Sequence, residues 1–475
     1  MWHCGHKYIE KYTYNDMGPT VAFQRIYIKL TDIFRQEAYL SVLFREALLT
    51  VCNLRYNVSV RKCVRKRMMV LTDFMSDWNK GAFLSAPVGP LGLIAMRGTE
   101  ALGEKVNAWL MKWRDHQEVQ EEQDLITAPG YDRGDFLIKA YCPRFGTGEA
   151  KGMLKESVRG YDIYILCDVG AYNCTYKMYG NDVPMSPDDH FQDLKRIIAA
   201  IGGKAKRINV IMPMLYEGRQ HRRTSRESLD CAIALQELEH MGVSNIITFD
   251  AHDNRVVNAI PLIGFESVMP SYQIFKALLR KEKDLSIDKR HMMIVSPDEG
   301  AIDRNIFYSS VLGVDMGLFY KRRDYTSVVN GRNPIIAHEY LGDTVEGKDV
   351  FVADDIISSG ESVLDLAREL KKRKANRIFA SATFAFFTGG LNEFDAAYQE
   401  GIITRVIATN LTYRTPELMA APWFIEADMS KYLSYIIATL NHDRSLSKLL
   451  SPYNRIKTLL SKYNEEQAKA GLRLV

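Results

Sequence analysis

From about residue 88 the apolar positions fall into short runs, separated by stretches with helical spacing. "LGLIAM" (91–96) reads as a strand, and Glu100 to Trp113 as a helix. "YDIYIL" (161–166) is a second strand, followed by a helix in which Leu194, Ile197, Ile198 and Ile201 stand at i, i+3, i+4 and i+7. "RINVIM" (207–212) follows, and then Thr224 and Glu227 at capping-box spacing predict a helix start. "NIITF", "HMMIV", "MGLFY", "DVFVA", "RIFASATF" and "RVIAT" are further apolar runs, mostly with helical patterns between them. Alternation of this kind predicts an α/β fold whose parallel strands are covered by helices on both faces. It continues for too long to serve one sheet and repeats nowhere in sequence, so two α/β domains of similar type are expected.

Residues 1–87 lack this rhythm. They are rich in aromatics and carry a basic run, "RKCVRKR" (Arg61 to Arg67). Read as an extension, the segment is partly helical or disordered, and the basic run is a solvated face rather than a nucleic-acid patch. The whole chain has 475 residues, 47% of them hydrophobic, and a net charge of +4. Such a small charge gives no reason to expect nucleic acid or a membrane surface as partner. No apolar run is long enough to span a bilayer, and the N-terminus lacks the basic-then-apolar order of a signal peptide. Seven cysteines without a C-x-x-C pair point to reduced thiols and a cytoplasmic location.

In open α/β sheets, ligands bind beyond the carboxyl ends of the strands, so the polar residues found there carry the information. "NIITF" is followed by Asp250, His252 and Asp253; "HMMIV" by Asp298 and Glu299; "MGLFY" by Lys321, Arg322 and Arg323. "DVFVA" runs into Asp354 and Asp355 and then the small-residue turn Ser358, Ser359, Gly360, Glu361, Ser362. Carboxylates and an imidazole suit magnesium or its waters. Lys and Arg neutralise phosphate oxygens. Backbone N–H groups at a helix start form an anion site, and small residues let a phosphate come close. Taken together, these strand ends predict a site for a metal and a multiply charged anion, with two carboxylates poised for the hydroxyls of a ribose. The nearest candidate for a P-loop, "GTEALGEK" (98–105), lacks the G-K-[ST] ending.

"VADDIISSGES" resembles the phosphoribosyl-diphosphate loop of the phosphoribosyltransferase fold, and the remaining motifs resemble the ribose-phosphate pyrophosphokinase family in order. These are "RFGTGEAKGMLKESVRGYDIYIL", "YEGRQHRR", "FDAHD", "VSPDEGA" and "FYKRRDY", and the resemblance covers about residues 88–450. It implies two phosphoribosyltransferase-like domains, at 88–268 and 269–450, each a mainly parallel sheet flanked by helices, with the N-terminal extension before them and a tail at 451–475. It implies transfer of the diphosphoryl group of ATP to the 1-hydroxyl of ribose 5-phosphate, with magnesium as cofactor, for nucleotide biosynthesis. By the same resemblance His252 and Asp298 are metal ligands, and Phe145, Glu149, Arg219 and Gln220 contact ATP. Lys321 and Arg323 stabilise the transferring group from a mobile loop. Asp354 and Asp355 hold the ribose, and Ser358 to Ser362 its phosphate. The family's Phe145 segment reaches a neighbouring subunit, which implies a homo-oligomer, a hexamer in the family.

The sequence departs from the family pattern at Thr147, His221, Ser359, Glu361 and Ser362. Glu361 puts negative charge beside a bound phosphate and needs a glycine-like backbone if φ is positive there. A catalytically weak or silent regulatory subunit and a phosphoribosyltransferase are the alternatives. Retention of Lys321, Arg323, His252 and Asp298 favours an active enzyme. Residues 1–74 match nothing in the family, and Met75 lies shortly before the match, so a start at Met75 and an authentic extra segment are the two explanations.

Overall fold

In this computed structural model, residues 87–116, 134–323 and 335–469 are described. The extension, its basic run and Met75 lie outside them. The predicted strands, joined by three that the sequence reading did not mark (Gly264–Val268, Ile335–Leu341 and Phe424–Ala427), assemble into two sheets. The first contains β1 (Leu91–Ala95), β2 (Asp162–Leu166), β3 (Arg207–Ile211), β4 (Asn245–Phe249) and β5 (Gly264–Val268), in that spatial order and all parallel. Alternate side chains take opposite faces, as a strand's two-residue period requires. Ile163, Ile165 and Val210 face helices α2 (Pro187–Ile201) and α3 (Asp230–His240). Leu91, Leu93, Tyr164, Leu166 and Ile211 face the other way, onto α1 (Glu100–His116).

Helix α2 shows how local sequence sets an element. Ser186 accepts the Asp189 N–H while the Asp189 carboxylate accepts the Ser186 N–H, a full capping box followed by Pro187. The helix ends at Gly202, whose φ is 59°. The box expected at Thr224 behaves differently. Glu227 does accept the Thr224 N–H, at 3.3 Å, yet the helix begins only at Asp230. The Gln220 amide donates to the carbonyls of Arg222 and Ser228 and holds the intervening segment as a loop.

The second sheet contains β6 (Met292–Ser296), β7 (Asp315–Arg323), β8 (Ile335–Leu341), β9 (Asp349–Ile357), β10 (Ile378–Ala385), β11 (Arg405–Thr409) and β12 (Phe424–Ala427). Its order is β8-β7-β6-β9-β10-β11-β12, with only β7 and β8 antiparallel among the described pairings. Helices α4 (Ser271–Lys281) and α5 (Ile302–Leu312) cover one face, while α6 (Glu361–Lys372) and α7 (Asn392–Gln399) cover the other. After β6 the chain builds outward to β7 and β8, then returns to β9 on the opposite side of β6. This reversal opens a crevice between the carboxyl ends of β6 and β9, where ligands bind in sheets of this kind.

After a short helix α8 (Pro416–Ala420), the chain leaves the second sheet and covers the first. Helix α9 (Ser430–Asn441) lays Tyr432, Leu433, Ile436 and Ile437 beside α1, against Leu93 and Leu166. Short α10 (Ser447–Leu450) keeps Leu449 in that same cluster, and α11 (Tyr453–Lys469) then returns to the second sheet with Ile456, Leu460 and Tyr463 buried. The stretch read as a tail from residue 451 is therefore largely helix. Trp113 stacks on Tyr435 with ring centroids 4.6 Å apart.

Polar groups lock the end of α9. Asp162, fully buried, receives two bonds from the Arg207 guanidinium at 2.8 and 2.9 Å and one from the Asn441 amide at 3.0 Å. Arg207 also donates to the Leu440 carbonyl at 2.6 Å. Removing one partner of a buried ion pair leaves the other charge uncompensated. Arg207→Met should therefore cost about 3–5 kcal/mol, read from urea unfolding of the whole chain; a loss within experimental error would show that Asp162 is satisfied without Arg207.

Candidate active site at the seam between the sheets

The carboxyl ends of β4 and β9 face one another. Their tips line a cavity of about 110 Å³ whose walls include Val169, Tyr216, Glu217, Arg219, Asp250, His252, Asp355, Ile356 and Phe384. Residues from both sheets therefore build one recess. Apolar Val169, Phe249 and Phe384 form part of the wall, and charged groups cluster beside them. Glu217 and Asp250 both adopt left-handed backbone, at φ 53° and 48°. Such conformations in non-glycine residues gather at functional sites, where surrounding structure holds them.

Among the bonds that join the halves, His252 Nδ1 lies 2.7 Å from Asp355 Oδ2. That carboxylate raises the His252 pKa above the usual imidazole value. Asp355 itself is held low by the His252 bond and by the nearby Arg304 charge, which together outweigh its burial. Asp354 moves the opposite way, pushed up by burial and by the adjacent Asp355 carboxylate. Asp354 and Asp355 are thus an unequal pair whose pKa values move in opposite directions. Asp298 lies close enough to add to the upward push on Asp354, and its own Oδ1 accepts the Gly300 and Ala301 N–H groups.

Beyond the carboxylates, β9 turns at Ser358–Gly360 and α6 begins at Glu361. Ser358, Ser359, Glu361 and Ser362 are exposed around the N-terminus of this twelve-residue helix. The positive φ falls on Gly360, at 93°, so Glu361 needs no glycine-like backbone. A Cβ on Gly360 would meet the Phe394 ring at 2.2 Å, so glycine is required twice over.

The other expected residues are placed less evenly. Arg219 is exposed and lines the cavity. Gln220 spends its amide on its own loop. His221 sits inside, its Nε2 3.3 Å from Asp253 and its ring centroid 5.4 Å from that of His252. Phe145 is 55% exposed at the tip of a tight turn, closed by the Phe145 N–H donating to the Glu149 carbonyl at 2.7 Å. Thr147 donates to the Glu149 carboxylate. Neither Phe145 nor Glu149 lines the cavity. Lys321 and Arg323 belong to β7 by backbone and pair with His338 and Ile335 on β8, on a strand where a loop was expected; residues 324–334 are not described.

Sequence reading missed the groups behind the carboxylates. Arg304, from the first turn of α5, makes a fork to Asp250 at 2.8–3.1 Å and approaches Asp354 at 3.8 Å. Thr383 donates to Asp250 at 2.5 Å. Asp168 was also missed. It follows β2, accepts from Thr412 and the Gly170 N–H, and burial pushes its pKa up to about 6. The only local signal was a polar Arg-Asn doublet, Arg304–Asn305, near the start of a helix that packs on a sheet.

Asp168 gives a pH signature. Because its folded-state pKa lies above the ordinary carboxylate value, the folded chain keeps a proton that the unfolded chain gives up. Stability contributed by protonated Asp168 is then lost as pH rises from about 4 through about 6. Between pH 4 and 7 the wild type should lose about 2 kcal/mol relative to Asp168→Asn. Urea unfolding of both proteins at the two pH values measures it; parallel pH profiles would refute it.

Comparison with known proteins comes from three directions. Residues 91–242 match the family model for the N-terminal domain of ribose phosphate pyrophosphokinase, and residues 265–397 that for the phosphoribosyl transferase domain. A ribose-phosphate pyrophosphokinase from Vibrio parahaemolyticus is 28% identical over 319 residues, covering 66% of this chain and 92% of that protein. Its counterpart from Shewanella oneidensis is 26% identical over the same length, covering 66% and 91%. In fold, the chain is similar to the crystal structure of phosphoribosylpyrophosphate synthetase from Mycobacterium smegmatis, with a TM-score of 0.57, 19% identity and coverage of 74% of this chain and 98% of that one.

Proposed function

The chain belongs to the ribose-phosphate pyrophosphokinase family, and we propose that it transfers the diphosphoryl group of ATP to ribose 5-phosphate in the cytoplasm, giving phosphoribosyl pyrophosphate for nucleotide biosynthesis. The observation that carries this reading is the meeting of two half-sites. The Asp354–Asp355 pair stands before an exposed helix N-terminus, and His252 reaches it from the other sheet through a 2.7 Å bond. Carboxylates accept from ribose hydroxyls, while the N–H groups around Ser358 to Ser362 receive the 5-phosphate. Arg219 offers a cation to the ATP phosphates along the cavity wall.

In the reaction, the 1-hydroxyl oxygen of the sugar forms a bond to the β-phosphorus of ATP. The bond from that phosphorus to the oxygen bridging to the α-phosphate breaks, and AMP leaves with the oxygen. Such transfers depend on alignment and charge neutralisation more than on a strong base. Lys321 and Arg323 serve that neutralisation at the end of β7.

His252 and Asp298 are the groups that would hold magnesium, which when bound neutralises phosphate oxygens. Among the described residues no three His, Cys, Asp or Glu side chains form a metal cluster. Magnesium suits such a site, because it keeps waters and substrate phosphates as ligands and needs few from protein. The Asp355 bond to His252 Nδ1 orients the ring and leaves Nε2 for the ion or its waters.

Purified protein with magnesium, ATP and ribose 5-phosphate should release AMP, and Lys321→Ala should lower turnover about a hundredfold with smaller effects on KM. ADP as product, or no turnover with any divalent metal, would sink the reading. Turnover unchanged in Lys321→Ala would remove that residue from the transfer.

The exposed Phe145 ring supports a site shared between subunits of a homo-oligomer, since no wall of the cavity uses it. Mixing Phe145→Ala with Lys321→Ala, after tagged subunits are seen to exchange, should restore part of the activity. A fully active monomer, or exchange without recovery, would exclude a shared site.

A further inference from the structure

Arg304 is 11% exposed and touches both sides of the seam. Its Nε and Nη2 grip the Asp250 carboxylate at the end of β4, two residues before His252. Its Nη1 stands 3.8 Å from Asp354 Oδ1 at the tip of β9. Asp250 is only 6% exposed, sits in left-handed backbone and is fixed further by the Thr383 hydroxyl. One guanidinium thus has one arm on a fully anchored carboxylate and the other beside the carboxylate read as the ribose acceptor.

The next residue makes the arrangement rigid. Asn305, fully buried, accepts the Ala353 N–H at 3.2 Å and donates to the Ala353 carbonyl at 2.9 Å. It also donates to the Ala301 carbonyl at 2.8 Å within its own helix. Ala353 immediately precedes Asp354. Helix α5 therefore clamps the backbone of the β9 tip with Asn305 and addresses its first carboxylate with Arg304. Only arginine can do this. Its planar fork spreads donors over two acceptors in fixed directions, whereas a lysine ammonium is a single point on a flexible stem.

From this geometry we infer that Arg304 is a positioning residue for ribose 5-phosphate: anchored on Asp250, it aims Asp354 at the sugar hydroxyls and sets the distance between the two half-sites. The inference rests on the functional reading above. Arg304 itself touches no substrate. It acts through Asp354, so its loss should weaken sugar binding and leave ATP binding nearly untouched.

Steady-state kinetics on the full-length protein test it, with both substrates varied. Arg304→Lys keeps the buried positive charge beside Asp250 and is expected to fold. Its KM for ribose 5-phosphate should rise about tenfold and its KM for ATP stay within about twofold. Arg304→Met leaves Asp250 without its cation and is the variant at risk of unfolding, so the lysine variant decides. The loss in Arg304→Lys should also largely disappear in an Asp354→Asn background, because residues acting through one another do not add. A merely structural Arg304 would raise both KM values together, lower the melting temperature and add its full loss to Asp354→Asn; any of these overturns the inference. A wild-type protein that releases no AMP overturns the functional reading, and this inference with it. An active wild type with an unaltered Arg304→Lys overturns the inference alone.

Discussion

The carboxylate of Asp250 is the fixed point of the molecule. It closes the tip of β4, takes a guanidinium fork from α5 and a hydroxyl from β10, and so ties the first sheet to two elements of the second. A charge this deep survives only when fully paired, because desolvation alone would otherwise expel it or force a proton onto it. Every polar partner it recruits comes from the other half of the chain. The Arg304 and Thr383 bonds to it help hold the two strand ends at the distance that the recess and the His252–Asp355 bond need.

The unequal titration of the "DD" pair follows from the same packing. Two adjacent carboxylates in water would differ little. Here the Arg304 charge acts on both, but only Asp355 also bonds an imidazole, while burial and the neighbouring Asp355 carboxylate push Asp354 up. The pair therefore offers one carboxylate held toward its ionised form and one pushed toward its protonated form. That asymmetry suits a sugar edge, where neighbouring hydroxyls both donate and accept.

Much of this was legible in the sequence. Apolar runs marked the strands because a buried parallel strand must be apolar on both faces, and Asp354, Asp355, His252 and Asp298 were visible because polar residues after such runs are informative. Two kinds of fact were hidden. The first concerns partners: period 3.6 shows that α9 has an apolar face, but not that the face belongs to a sheet begun more than 300 residues earlier. The second concerns competition. Thr224 and Glu227 do make part of a capping box, yet Gln220 captures the backbone beyond them, and the helix waits until Asp230. Arg304 belongs to the first kind, since nothing near it in sequence reveals that Asp250 and Asp354 converge on it.

The course of α9 bears on how the chain is made. A ribosome that has delivered β5 has supplied the strands of the first sheet described above, but one apolar face of that sheet has only α1 as cover. Leu93, Tyr164 and Leu166 wait there for residues that emerge only after the second sheet has been synthesised. Consecutive domains commonly fold one after another during synthesis. Here the cover of the first sheet cannot be completed before the second sheet has been synthesised. Until then part of that apolar face has no native cover.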